Sequence, residues 1–169
     1  MTIVTGAFGT KIPDQTTGRY LVSVLDQLGY RASLRVIPDP NAYARRLSDS
    51  RQRTQAGWFS WYQDYPAPSD FIGPLLTCQS FIPDNPLNLN AAEFCNRRID
   101  AQVQQALVLQ PRNPNAAAAL WARIDHEIVG QAPWVPIYNP RSLVMLSARV
   151  GNYQFDPYWS MLIDQLWIH

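Results

Sequence analysis

Apolar residues recur along this chain with two different periods, and the change from one to the other outlines a fold. Thr2-Ile3-Val4 reads as a short strand followed by a turn at Gly6 and Gly9. Leu21, Val24, Leu25 and Leu28 then fall at i, i+3, i+4 and i+7, which is one helical face, with Gly29 at the C′ position. Leu34 to Ile37 is a second strand, closed by Pro38, and Asp39-Pro40 is a cap-then-proline signature opening a helix with Tyr43 and Leu47 on one face. Gln55 to Trp61 is a third strand. This β-α-β-α-β order predicts parallel strands and an α/β layer.

From Tyr65 to Asn90 the periodicity gives way to Pro66, Pro68, Pro74, Pro83 and Pro86. Proline fixes φ and removes a donor, so this reads as a long, stiff surface loop, packed down by Phe71, Ile72, Leu75, Leu76, Phe81 and Ile82. Two helices follow. Asn96 caps the first, with a face of Ile99, Val103, Ala106 and Leu107. Asn113-Pro114 opens the second, whose stripe is Ala117, Leu120, Trp121, Ile124 and Ile128, stopped by Gly130 and Pro133. Trp134 to Tyr138 and Leu143 to Leu146 read as strands about an Asn139-Pro140 turn, and Tyr153 to Trp167 is aromatic without helical periodicity.

Composition narrows the class. With 169 residues, 47% hydrophobic and 12% aromatic, the chain has enough apolar surface for a core and is not a disordered segment. No apolar run approaches the roughly 18 residues of a membrane-spanning helix. A formal charge of +1 argues against polyanion binding, so the cluster Arg45, Arg46, Arg51 and Arg53, opposed by Asp39 and Asp49, reads as a solvated face. Met1 to Pro13 lacks the basic and apolar regions of a secretory signal, which leaves a trimmed secreted chain or a cut inside a longer one. His126 lies between Asp125 and Glu127 on a helix, and no zinc motif, nucleophile elbow or P-loop is present.

The segment Trp61-Tyr62-Gln63-Asp64-Tyr65-Pro66-Ala67-Pro68-Ser69-Asp70-Phe71 carries the most specific chemistry. It sets an aromatic plate near a carboxylate after a strand end, where α/β folds place ligands. From Ser60 to Phe71 it resembles the "GW-x-x-DYPDP-x-x-F" signature of the family 5 extracellular solute-binding proteins, the oligopeptide- and dipeptide-binding subunits of ABC transporters. Phe94 to Asp100 resembles that family's "Y-x-NPEVD", and Leu120 to Pro140, ending Ala132-Pro133-Trp134-Val135-Pro136-Ile137-Tyr138-Asn139-Pro140, its "DAPWVPLYNP" run. Gln27 to Ile37 is similar to its helix-strand junction. Ser60 replaces the motif's glycine and Ala67 its second acid.

The resemblance implies an α/β, type II periplasmic-binding-protein-like C-terminal lobe with a mixed sheet flanked by helices. Residues 1–140 would be the ligand-binding lobe, and 141–169 a segment returning to an N-terminal lobe. It implies a solute carrier of an ABC importer, not an enzyme, with no cofactor or metal and no nucleic-acid partner. The partners would be a peptide or other small solute and a membrane permease. The place would be extracellular or periplasmic, anchored to the membrane in the full-length protein. The alternative is the sensory end of a larger, cytoplasmic transcriptional regulator.

In peptide-binding relatives the aspartate matching Asp64 faces the ligand's ammonium group, a charge-assisted contact. A turn-forming Asp is the structural alternative. Trp61 either walls the ligand or packs at a core or lobe interface. Tyr62, Tyr65 and Tyr138 are further pocket residues. Cys78 and Cys95 flank the proline-rich stretch as either a disulfide, closing a loop of about 18 residues, or two buried thiols. An unpartnered tail (Tyr153, Phe155, Tyr158, Trp159, Leu162, Trp167) would leave an apolar patch that favours self-association.

Overall fold

The computed structural model describes residues 1–6, 14–137, 139, 141 and 143–169. Strands β1 (Thr2–Gly6), β2 (Ser33–Ile37) and β3 (Ala56–Gly57) form a parallel sheet in the order β2-β1-β3, with Ile3 opposite both Leu34 and Ala56. Central β1 is buried from Val4 to Gly6 and at Ile3, because a helix covers each face. Helix α1 (Asp14–Gln27) lies against Thr5 and Leu34 through Gly18, and α2 (Pro40–Ser48) presses Leu47 onto Gly57; a Cβ at either glycine would collide with those side chains. Close packing on both faces is what a doubly wound parallel layer requires.

Local chemistry sets the helix ends. Gly29 has a φ of +87°, the left-handed C′ geometry that frees the chain to leave α1. Asp39 caps α2 by accepting the Ala42 N–H at 2.9 Å, with Pro40 in the first turn. Tyr43 is buried, and its hydroxyl donates to the carbonyls of Trp58 at 2.5 Å and Val4 at 3.4 Å. Burial pushes that hydroxyl's pKa well above 10. The bond pins the chain where it leaves β3.

The second half is helical. Asn96 and Asn113 cap α4 (Arg97–Leu109) and α5 (Pro114–Gln131). All five residues of the α5 stripe are buried, facing Ile99, Val103 and Ala106 of α4, and with Ile72, Leu75 and Leu76 they make the main core. Phe59, Trp61, Phe94 and Trp134 pack on its border.

Several sequence expectations need correction. The third strand stops at Gly57 and does not reach Trp61, since β1 offers it only Ile3 and Val4 before Phe59 and Trp61 turn toward the helical core. The proline-rich stretch is not all loop: Ser69–Leu76 is a helix, α3. Pro68 already has helical angles (φ −58°, ψ −28°), and burial of Ile72, Leu75 and Leu76 outweighs the hydrogen bond lost at Pro74. Phe71, Ile82, Leu28 and Leu107 point outward instead of into the core. Helix α5 runs through Gly130, and Ala132, not a glycine, takes the left-handed position. Neither Trp134–Ile137, the described part of the first expected strand, nor Leu143–Leu146 pairs as a strand, and Tyr138 lies outside the described residues. Their residues meet no neighbouring ladder among the described residues, and Leu143 and Met145 are 94% and 95% exposed. The expected mixed sheet is instead the parallel one plus two small antiparallel pairs. These join β4 (Val150–Gly151) to β7 (Trp167–Ile168) and β5 (Phe155–Asp156) to β6 (Ser160–Met161).

Candidate functional site

The residues singled out by the sequence leave the sheet after β3 and lead into α3. Trp61 is half-buried. Its ring lies parallel to Phe59 (centroids 6.4 Å apart, 9° between planes), and Phe59 in turn meets Trp134 at 5.8 Å. This makes Trp61 an edge of the helical core, with a buried indole N–H that meets no acceptor among the described residues. Tyr62 is 76% exposed. Gln63 reaches across the chain, its Nε2 donating to the Pro157 carbonyl at 3.1 Å, which ties this stretch to the β5–β6 hairpin.

Asp64 is exposed, and no hydrogen bond or ion pair among the described residues engages its carboxylate. Its backbone is held firmly. The Asp64 N–H donates to Oδ2 of Asp70 at 2.7 Å, and Asp70 is only 3% exposed. The Ala67 N–H reaches the Tyr65 carbonyl at 2.8 Å, and the Tyr65 hydroxyl donates to Ser69 Oγ at 3.1 Å. Tyr65 keeps 46% of its surface exposed. A negative side chain therefore projects to solvent from a braced turn, the arrangement that binds a cation with little reorganisation. Tyr138 lies outside the described residues.

Behind α3 the chain is braced again. Cys78 and Cys95 are joined in a disulfide, and the Cys78 N–H donates to the Asp100 carboxylate of α4 at 3.2 Å. Inside the loop they close, Asn88 and Asn90 are buried at 1% and 0% exposure. Asn90 Nδ2 donates to the carbonyls of Thr77 (3.0 Å) and Phe94 (2.7 Å), while its Oδ1 accepts the Phe94 N–H at 3.0 Å. Asn88 takes the Ile82 N–H at 3.1 Å and donates to the Asn90 carbonyl at 2.9 Å. Saturated buried amides fix a loop in one conformation.

Sequence reasoning missed Asp70, Asn88 and Asn90. An acid before Phe71 in a signature already containing Asp64 was the available signal for Asp70. The asparagines sit among prolines, where the residue type signals a turn, and nothing local marks them as buried. A separate groove of about 370 Å³ runs along α4, lined by Gln104, Gln105, Val108, Leu109 and Arg112, and includes none of the expected ligand residues. Among the described residues, no group of three His, Cys, Asp or Glu is placed to hold a metal, and no helix is long and apolar enough to cross a membrane.

No family model matches the chain. Individual proteins do. It is 31% identical over 132 residues to heme-binding protein A of Haemophilus influenzae, covering 75% of this chain and 22% of that protein. It is 23% identical over 145 residues to the peptide transport periplasmic protein SapA of the same species, covering 85% of this chain and 24% of that one. In structure, the whole chain superposes on 32% of a dipeptide-binding protein from Pseudoalteromonas sp. SM9913, solved with Met-Leu, at a TM-score of 0.75 and 21% identity. The chain is similar to members of the family 5 extracellular solute-binding proteins. Its fold is the α/β architecture of type II periplasmic binding proteins. It spans about a quarter of the length of the curated relatives it matches.

Proposed function

We propose that this chain is the C-terminal, ligand-gripping lobe of a peptide-type solute-binding protein that serves an ABC importer. Residues 1–140 form the lobe, and 141–169 belong against a second lobe. The observation that carries the reading is the exposed Asp64 carboxylate on a turn braced through its own amide. Asp64 would meet the ammonium end of a peptide, with Tyr62 and Tyr65 as neighbouring contacts and Trp61 as the wall. The lobe holds its solute without altering it, and a permease receives the cargo after hinge closure over both lobes.

Two observations favour transport over the sensory end of an intracellular regulator. The relatives named above include a peptide transport protein and a dipeptide-binding protein. The disulfide suits an oxidising extracellular or periplasmic setting, where a membrane anchor would keep the full protein near its permease. Taken alone, the chain binds weakly and self-associates through the apolar tail, where Phe155, Trp159 and Trp167 are exposed. The experiment is small-angle scattering of the full-length protein with a panel of di- to pentapeptides. Peptides with a free amine compact it, and Asp64→Asn abolishes that compaction. A panel that leaves the radius of gyration unchanged refutes the transport reading.

A further inference from the structure

We infer that Asp70 is a positioning residue of this site, holding the Asp64 turn in the geometry that receives the ligand's cation; this rests on the reading of Asp64 given above. Asp70 lies one residue inside α3, yet its carboxylate reaches back six residues to the Asp64 N–H at 2.7 Å. Pro68, at the N-cap, makes no side-chain cap bond, so an acid in this first turn would suit the helix without any such reach. At 3% exposure the Asp70 carboxylate is too deep to touch a solute itself. Its effect passes through the main chain of Asp64, whose side chain is exposed. Deleting the acceptor frees the Asp64 amide, and the turn then samples orientations that point the Asp64 carboxylate elsewhere. Asparagine keeps an oxygen at the same place, so the bond, not the charge, is the required feature.

The test uses the ¹⁵N-labelled chain with Met-Leu as probe, reading Asp64 amide exchange, Met-Leu affinity and thermal midpoint together. Exchange at Asp64 in the unaltered chain should be at least tenfold slower than the unprotected rate, although the residue is exposed. Asp70→Ala should remove that protection and weaken Met-Leu about tenfold, and Asp70→Asn should restore both. A purely structural role predicts that affinity follows the midpoint in every variant, and that result overturns the inference. So does an Asp64 amide that exchanges freely in the unaltered chain, a measurement that stands even if Asp70→Ala fails to fold. Asp64→Asn separates the two levels. If it leaves Met-Leu binding unchanged, the ligand reading fails and this inference with it. If it abolishes binding while Asp70→Ala does not weaken it, only the inference about Asp70 fails.

Discussion

Helices α4 and α5 and the segment from Trp134 to His169 carry similarly apolar sequences and meet opposite fates. In α5 every residue of the predicted stripe is buried, Ile124 completely. In the tail segment Val135, Leu143, Met145, Trp159 and Ile168 are each more than 70% exposed. Apolar character therefore does not decide burial here; the presence of a facing element does. A helix satisfies its own backbone and needs only one apolar neighbour, which α4 supplies. A strand needs a ladder partner as well as a covered face, and the described tail offers only two-residue pairings. The first region is a packed core, and the second leaves apolar side chains exposed.

The largest effect should come from cutting into the packed core. Ile124→Ala, at a site with 0% exposure, is expected to cost about 3 to 4 kcal/mol, measured by urea unfolding. A cost below about 1 kcal/mol would show that the helical core is as loose as the tail. Next comes the brace behind α3. The bond between Cys78 and Cys95 spans 17 positions, and replacing both cysteines by serine should lose about 3 kcal/mol in the chain-entropy account. Amide exchange should then rise at Asn88 and Asn90 before it rises in α5.

Acid should act on a third, smaller scale. The Arg51 guanidinium hydrogen-bonded to Asp49 holds its carboxyl below the usual 3.8, and the Ala42 N–H does the same for Asp39 at the start of α2. Lowered folded-state values mean that this stabilisation is present above about pH 4 and is lost as pH falls through them. The thermal midpoint should therefore drop on acidification below pH 4, and Asp49→Asn should flatten the drop. The smallest effect on stability belongs to the tail. Met145→Ser, at 95% exposure, should change unfolding by no more than about 0.5 kcal/mol. A large loss of stability would place Met145 in a core after all.

Much of this was legible in local chemistry. Asp39-Pro40, Asn96 and Asn113-Pro114 announce their helices because a cap and its first turn are decided within four residues. The α5 stripe is legible because its period is long and unbroken. Helix α3 was hidden by Pro74, since local propensity argues against a helix that only burial of Leu75 and Leu76 can sustain. The strands expected at Trp134–Tyr138 and Leu143–Leu146 follow from β-prone residues, but pairing is a property of two segments and cannot be read from one. At the site, Asp64 was visible through its motif. Asp70, whose contribution depends on a contact six residues back and on burial by α3, was not.

The central claim is that Asp64 presents its carboxylate to the amino terminus of a peptide. Its most direct test is amide chemical-shift mapping of the ¹⁵N-labelled chain against Met-Leu and against N-acetyl-Met-Leu, which lacks the ammonium charge. The account predicts saturable shifts centred on residues 61–65 with the free amine and none with the blocked one. Equal shifts from both, or shifts confined to the α4 groove, would contradict it.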